Sequence, residues 1–182
     1  MTTLTNPQDL SDQELKNVLL DIEMSVGGDS VGIVTLEFWP ETAPATVRNF
    51  LRYAAEGFYN GKTFHRVIPN FMIQGGCPSG TGTGSGSYGN IPGEFTAEAQ
   101  YSHKRGVISM ARSQDPNSAS CQFFICHGDA DFLDNQYAAF GCMTEGDSAL
   151  DKLAAVPTGG GGEGSTPKKD CLIQSMTLRS RI

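Results

Sequence analysis

Short apolar segments of β type, separated by turns rich in glycine and proline, run through most of this 182-residue chain. Several of them alternate apolar and polar residues, which is typical of a strand with one buried face. Helices do not alternate regularly with these segments, so a parallel sheet built from βαβ units is disfavoured. The segments lie at residues 18–26, 31–39, 62–68, 71–76, 106–112, 121–126, 138–143 and 171–178.

Two segments have the features of longer helices. Residues 41–57 carry Pro44 in the first turn, an apolar stripe and a glycine at the end, and residues 147–156 stop at Pro157. Eight antiparallel strands can hide their edges by closing into a barrel. We therefore predict a mainly β fold: a closed eight-stranded antiparallel β-barrel capped by two α-helices.

The domain prediction divides the chain into two parts. Residues 18–182 form the barrel domain, with no internal repeat and no second domain. Residues 1–17 are a polar extension, in which Ser11 and Glu14 have the spacing of a capping box at the start of a short helix. The sequence leaves open whether this extension is a tail or a packed edge.

Charge and composition exclude several function classes. A net charge of −7 argues against a nucleic-acid partner and against an anionic membrane surface. The N-terminus lacks the apolar run of a signal peptide, and no segment approaches the roughly 20 apolar residues of a membrane span. The five cysteines are an odd number, and a cytoplasmic context keeps thiols reduced, so we expect free thiols and a cytoplasmic location. We also expect a monomer.

Two motif matches suggest catalytic or phosphate-binding loops, and neither has the right context. Residues 28–32 match G-x-S-x-G, but a strand follows where the nucleophile elbow requires a helix, so a hairpin turn is the favoured interpretation. Residues 84–89 match G-x-G-x-x-G without a strand before or a helix after, which favours a flexible loop.

Candidate metal ligands are also weak, and we predict no metal site. Asp129, Asp131 and Asp134 lack the ligand spacing of a calcium loop. Cys121 and Cys126 are five residues apart and would point to opposite faces of a strand. For His65 and His103 the sequence offers no evident acid or nucleophile partner, so both are interpreted as structural or surface residues.

Three longer motifs resemble the cyclophilin family of peptidyl-prolyl cis-trans isomerases. They are FHRVIPNFMIQGG at 64–76, MARSQDPNSASCQFFI at 110–125 and FLDNQYAAFG at 132–141. The resemblance covers roughly residues 18–178. It implies the family's eight-stranded barrel with two capping helices, and an isomerase that accelerates rotation about Xaa-Pro bonds without a cofactor. Its expected partners are proline-containing peptides and unfolded proteins.

Carried over by motif, the resemblance implies the residues of the site. The catalytic set is Arg66, Phe71, Gln74 and Phe124, with Arg66 as the catalytic cation and Gln74 as the backbone-binding amide. Phe71, Met72, Phe124 and Leu133 would form the proline pocket. The residues implied in substrate binding are Met72, Gly82, Ala111, Arg112, Ser113, Gln122, Phe132, Leu133 and Tyr137.

Two of these positions depart from the commonest eukaryotic pattern. Phe132 replaces a pocket tryptophan and Tyr137 replaces a pocket histidine. Since phenylalanine lacks the indole N–H that family members use on cyclosporin, we predict weak cyclosporin binding.

An alternative function stays open: a catalytically weak module that binds proline peptides without turning them over. It is also open whether Cys77, at the edge of the expected substrate groove, responds to redox conditions.

Overall fold

The computed structural model describes residues 6–160 and 162–181, and its main element is a strongly curved antiparallel sheet. The strands of this sheet are β1 (Val18–Val26), β2 (Asp29–Phe38), β3 (Phe64–Ile68), β4 (Met72–Gly75), β5 (Val107–Met110), β6 (Phe123–Cys126), β7 (Ala139–Glu145) and β10 (Cys171–Ser180). Their spatial order is β10-β1-β2-β7-β5-β6-β4-β3. A separate two-stranded ribbon joins β8 (Thr158–Gly159) to β9 (Thr166–Pro167).

Three α-helices lie among the described residues, one more than the two predicted as caps. They are α1 (Asp12–Leu15), α2 (Pro44–Ala55) and α3 (Asp147–Ala154). The additional helix, α1, is the short one that the capping-box pattern indicated. Ser11 and Glu14 form that box: the Ser11 hydroxyl accepts from the Glu14 N–H, and the Glu14 carboxylate accepts from the Ser11 N–H.

The first hairpin explains why residues 28–32 are not a nucleophile elbow. Gly27 and Gly28 both have positive φ, of 60° and 91°, and form the two-residue turn between β1 and β2. Two consecutive residues with positive φ fit the right-handed twist of a hairpin, and glycine adopts this conformation without a Cβ clash. Ser30 lies in the following strand and pairs with Ser25.

The main core lies inside the curve of the sheet, where α2 and α3 contribute their apolar faces. Phe50 of α2 packs within 5.4 Å, centroid to centroid, of the rings of Tyr59, Phe123 and Phe140. Leu15 of α1 is fully buried in the same core. Through Leu15, residues 6–17 therefore pack against the core of the curved sheet, although the predicted domain boundary after residue 17 stays a prediction.

The prediction of a closed barrel is wrong, because the sheet is open between β3 and β10. These edges approach at one isolated bridge between Thr63 and Leu172, beside the backbone bonds that join Gly61 and Lys62 to Ile173. Beyond that bridge the outer edge of β3 has a different neighbour: the Val67 N–H donates to the Ser165 carbonyl, 2.9 Å away. The segment around β9 thus lies where β10 would have to continue.

Within residues 6–160 and 162–181, no helix is long and apolar enough to cross a bilayer.

Candidate active site

The register of four neighbouring strands places the predicted catalytic residues in one row. Arg66 of β3 is opposite Gln74 of β4, Gln74 is opposite Phe124 of β6, and Phe124 is opposite Ser109 of β5. Residues directly opposite in an antiparallel sheet share a face. The row therefore lies on one surface of the sheet.

The next row along the same strands faces the other way and explains why the site is rigidly supported. It consists of Val67, Ile73, Ile125 and Ile108, all fully buried in the main core. Side chains alternate between the two faces of a strand, so each residue of the catalytic row is next in sequence to a residue anchored in the core. Anchoring the buried row therefore fixes the backbone that carries the catalytic row.

On the outer surface a second, smaller apolar cluster forms a pocket. Met72 and Phe124 are buried there, with Phe71, Leu133 and Tyr137 packed around them. The cavity has a volume of about 180 Å³, and its lining also includes Arg66, Gln74, Ala111 and Arg112. Four residues predicted for the proline pocket, Phe71, Met72, Phe124 and Leu133, are thus brought together.

Arg66 crosses the rim of this pocket and uses both sides of its guanidinium. Nε and Nη2 donate to the two carboxylate oxygens of Glu163, at 2.8 and 2.6 Å. Nη1 points to the pocket side, 3.2 Å from Gln74 Oε1 and 3.9 Å from Met72 Sδ. The hydrogen bond with Glu163 raises the pKa of Arg66, and the hydrogen bond with Arg66 lowers the pKa of Glu163 to about 2. Both groups are therefore charged at neutral pH.

Two glutamines continue the hydrogen-bonded chain from Arg66 to the glycine-rich loop, which is residues 76–93. Gln74 Nε2 donates to Gln122 Oε1 at 3.3 Å, and Gln122 Nε2 donates to the carbonyls of Gly82 and Gly84, each at 2.9 Å. Each amide thus has its oxygen and nitrogen sides assigned by its neighbours. This series of hydrogen bonds leaves the side-chain amide of Gln74 little freedom to rotate.

A second, more polar pocket adjoins the first and has a volume of about 380 Å³. The two share Gln74, Ala111 and Arg112, so together they form one groove. Gly82, Ser113 and Gln122, which the motifs implied in substrate binding, line the second pocket. Its walls also include residues that the sequence analysis did not select: Thr83, Gly84, Ser85, Asn90, Ser118, Ser120 and Cys121. Small polar residues in loops have no pattern that would single them out.

The two positions that depart from the family pattern differ in placement. Tyr137 lines the apolar pocket, with its ring edge-on to Phe124 at 5.9 Å and the Arg112 guanidinium 4.8 Å from its centroid. Phe132 lines neither pocket and is 65% exposed. Its ring lies 5.6 Å from that of Phe71, so it extends the apolar surface outside the rim.

The structure gives His103 an acid and a hydroxyl partner that the sequence did not reveal, and the residue is structural. Its Nδ1 is 2.8 Å from Asp134 Oδ1 and its Nε2 is 2.8 Å from Ser109 Oγ. Burial lowers the pKa of His103 despite the carboxylate beside it. Since Ser109 and His103 are 0% and 1% exposed, no substrate reaches them, and the arrangement is a buried support beneath Phe124.

Cys77 lies buried under the glycine-rich loop. Its Sγ accepts from the N–H groups of Gly82 and Gly84, both at 3.3 Å, and lies 3.3 Å from Ser79 Oγ. Burial alone would raise the pKa of this thiol, but these hydrogen bonds outweigh it and lower the pKa to about 6. All five cysteines are free, and no cluster of three or more potential metal ligands occurs in the described parts of the chain.

The curved antiparallel sheet, with a groove that joins an apolar pocket to a polar one, places the chain in the mainly β class, and sequence comparison identifies its family. Residues 20–178 match the family described as cyclophilin type peptidyl-prolyl cis-trans isomerase/CLD. The chain therefore belongs to this cyclophilin family of peptidyl-prolyl cis-trans isomerases.

Several curated relatives support the assignment. A peptidyl-prolyl cis-trans isomerase of Synechococcus elongatus is 44% identical over 128 residues, which are 70% of this chain and 84% of the relative. That of Helicobacter pylori is 48% identical over 124 residues, or 67% and 74% of the two chains. Peptidyl-prolyl cis-trans isomerase CYP57 of Arabidopsis thaliana is 42% identical over 76% of this chain, but the match spans 26% of that protein's length.

Solved structures give the same result. A cyclophilin type peptidyl-prolyl cis-trans isomerase of Cryptosporidium parvum superposes with a TM-score of 0.79 and 30% identity, covering 89% of this chain and 97% of the other. A second structure of that protein, in the presence of the dipeptide Ala-Pro, is similar with 31% identity and the same TM-score.

Proposed function

We propose that this groove accelerates rotation about Xaa-Pro bonds in flexible or unfolded chains, with Arg66 as the catalytic cation. The observation that carries the proposal is the position of Arg66 Nη1, which faces the apolar pocket beside Gln74 and Met72. A fixed donor next to a proline-sized apolar cavity suits a reaction in which the amide loses its planarity.

The barrier to this rotation comes from amide resonance and is about 18–20 kcal/mol. Uncatalysed exchange takes tens to hundreds of seconds, so reaching milliseconds requires roughly four to five decades, or about 5.5–7 kcal/mol. No bond is broken and no proton must move. Catalysis therefore depends on binding the twisted amide more tightly than either planar isomer.

Two features of the pocket favour the twisted amide. Its apolar wall favours the state with the smaller charge separation across the C–N bond. In the same state the prolyl nitrogen carries a lone pair, to which a guanidinium N–H can donate. Phe71, Met72, Phe124 and Leu133 would hold the pyrrolidine ring while the preceding residue rotates, and Gln74 would bind backbone.

The second pocket extends the proposal to the residues before the proline. Ala111, Arg112, Ser113, Gln122 and Gly82 would contact this part of the peptide. The wall is rich in hydroxyl and amide groups, which supports hydrogen bonding to a backbone more than selection of one apolar side chain.

Cyclosporin affinity and cellular location belong to the proposal as well. We propose weak cyclosporin binding, because Phe132 offers no side-chain donor and lies outside the rim of the pocket. We also propose a cytoplasmic site of action, which the five free cysteines support.

The test is a rate measurement on the wild-type protein with a short Xaa-Pro peptide by exchange NMR. We expect acceleration of cis-trans exchange by several decades over the uncatalysed rate. If the protein bound the peptide without accelerating exchange, the enzyme hypothesis would be wrong. The alternative function, a module that binds proline peptides, would then hold.

A further inference from the structure

We propose that Glu163 is a positioning residue that holds the guanidinium of Arg66 in the orientation in which Nη1 faces the pocket. The inference rests on the proposed function of Arg66 and adds a residue that none of the three family-like motifs contains. Glu163 lies in the glycine-rich segment between β8 and β9, and 97 residues of sequence separate it from Arg66.

The geometry of the pair determines which part of Arg66 remains for substrate. Glu163 occupies Nε and Nη2 with one oxygen each, which is a two-point contact and fixes the plane of the guanidinium. Nη1, on the opposite side, is left for Gln74 and the pocket. A carboxylate on Nη1 would block the pocket, whereas this carboxylate leaves it accessible.

Glu163 is itself held in place by the strand that carries Arg66. Its Oε2 accepts a hydrogen bond from Ser165 Oγ at 2.7 Å, and the Ser165 carbonyl accepts from the Val67 N–H on β3. Gly164, between them, has a φ of 71°, a conformation that L-residues with a Cβ rarely adopt. This turn lets Glu163 and Ser165 both reach β3.

Gln74 alone would leave Arg66 poorly oriented. The side chain of Arg66 is 33% exposed at the rim, and its bond to Gln74 is a single contact of 3.2 Å. An arginine side chain has many rotamers, and a planar group fixed by one hydrogen bond can still swing. Without Glu163 we expect the guanidinium to sample solvent-facing rotamers, which lowers the fraction of molecules ready for catalysis.

The chain supplies a matched control elsewhere in the sheet. Arg179 on β10 donates through Nε and Nη2 to Asp21 at 2.8 and 3.2 Å, and Asp21 also accepts from the Thr35 hydroxyl. This pair reproduces the contacts of Arg66 and Glu163 but borders neither pocket of the groove. A general effect of losing an arginine–carboxylate pair would therefore appear in both variants.

The experiment compares Glu163→Ala, Glu163→Gln and Asp21→Ala with wild type. Exchange NMR on an Xaa-Pro peptide gives the rate and the peptide affinity, and the Nε–H signal of Arg66, assigned with Arg66→Lys, reports its orientation. We expect Glu163→Ala to lose about five- to tenfold in rate, with affinity changed less than about twofold, as for a lost orientation. The Arg66 Nε–H should exchange faster with water.

The other variants distinguish positioning from a structural role. Glu163→Gln keeps one acceptor oxygen and should recover part of the rate, while Asp21→Ala should keep the wild-type rate. The Tm of Glu163→Ala should stay within about 3 °C of wild type, because half-exposed ion pairs contribute little to stability.

Two results would overturn the inference itself, and a third would overturn the proposed function beneath it. An unchanged rate in Glu163→Ala, with wild type fully active, would overturn the positioning role alone. A faster Glu163→Ala enzyme would overturn it in favour of an inhibitory contact. A wild-type protein without any acceleration would instead overturn the proposed function on which the inference rests.

Discussion

At the scale of single residues, Cys77 is the group whose ionisation should be visible near neutral pH. Its folded pKa of about 6 lies below the ordinary thiol value of about 8.5 expected in the unfolded chain. A lowered pKa adds stability that is fully present above the unfolded value and is lost as the pH falls through the folded value. We therefore expect the free energy of unfolding to rise from pH 6 to pH 8.

Urea denaturation of wild type and Cys77→Ser at several pH values measures this contribution. The difference between the two proteins should grow with pH across that range. Cys142→Ser is the control, since burial raises the pKa of Cys142 to about 11 and its thiol does not titrate there. A Cys77 difference that does not vary with pH would show that the thiolate is absent.

A second prediction at this scale concerns Phe132. Replacing it with tryptophan restores an indole N–H beside Phe71 without altering the pocket wall, because Phe132 is mostly exposed. We expect Phe132→Trp to bind cyclosporin at least tenfold more tightly, or about 1.4 kcal/mol. Calorimetric titration checks this. Tight, low-nanomolar binding by the wild type would contradict the argument from the missing donor.

At the scale of elements, α2 has an unusual N-terminal cap. Ala43, the cap residue, provides no side-chain acceptor. Instead, the carboxylate of Glu94 accepts from the N–H groups of Ala45 and Thr46 and from the Thr46 hydroxyl, at 3.3, 2.7 and 2.7 Å. A carboxylate at this end of a helix accepts hydrogen bonds from the free N–H groups. Its negative charge is also attracted to the positive end of the helix dipole.

Glu94→Ala should therefore destabilise the protein by about 1 kcal/mol, the usual effect of losing a cap. Urea denaturation gives the value, and the exposed Glu98→Ala serves as control, with an expected change within about 0.5 kcal/mol. Equal stability of the two variants would mean that Glu94 does not cap α2.

The contrast between α2 and the strands indicates what sequence patterns can predict for an element. The short apolar run at residues 71–76, bounded by Pro69-Asn70 and a glycine pair, predicts a strand almost where β4 lies, because the pattern and the structure both depend on neighbouring residues. The helix predicted at 41–57 is shorter in the structure, Pro44–Ala55, and its cap comes from a residue 48 positions away. No local signal identifies such a partner.

At the scale of the whole molecule, both edges of the open sheet have partial cover. The Ser165 carbonyl accepts from β3, while Asn60 Oδ1 accepts from the Met176 N–H of β10 at 3.0 Å. Covered edges and a net charge of −7 both oppose edge-to-edge pairing. We expect a monomer, so light scattering should give a mass near 19.4 kDa, and a dimer mass at micromolar concentration would contradict this.

The closed barrel and the partners of Arg66 and His103 show where prediction from sequence ends. The eight strands of the main sheet follow from their patterns, whereas the two-residue strands β8 and β9 are too short to show one. Closure depends on which segment reaches the edge of β3, and that is a long-range contact. Likewise, Glu163 is one carboxylate in the glycine-rich segment between β8 and β9, and the bond between His103 and Asp134 joins residues 31 positions apart. The motifs predicted which residues surround the pocket, whereas the groups that orient them depend on the assembled fold.

The central claim is that Arg66, held at the rim of an apolar pocket, binds the twisted amide more tightly than the planar one. The most direct measurement is exchange NMR on an Xaa-Pro peptide with wild type and Arg66→Ala side by side. We predict that Arg66→Ala keeps its fold and much of its peptide affinity while losing most of its isomerisation rate. A rate within about threefold of wild type, equivalent to a loss of only roughly 0.6 kcal/mol in transition-state binding, would contradict the claim.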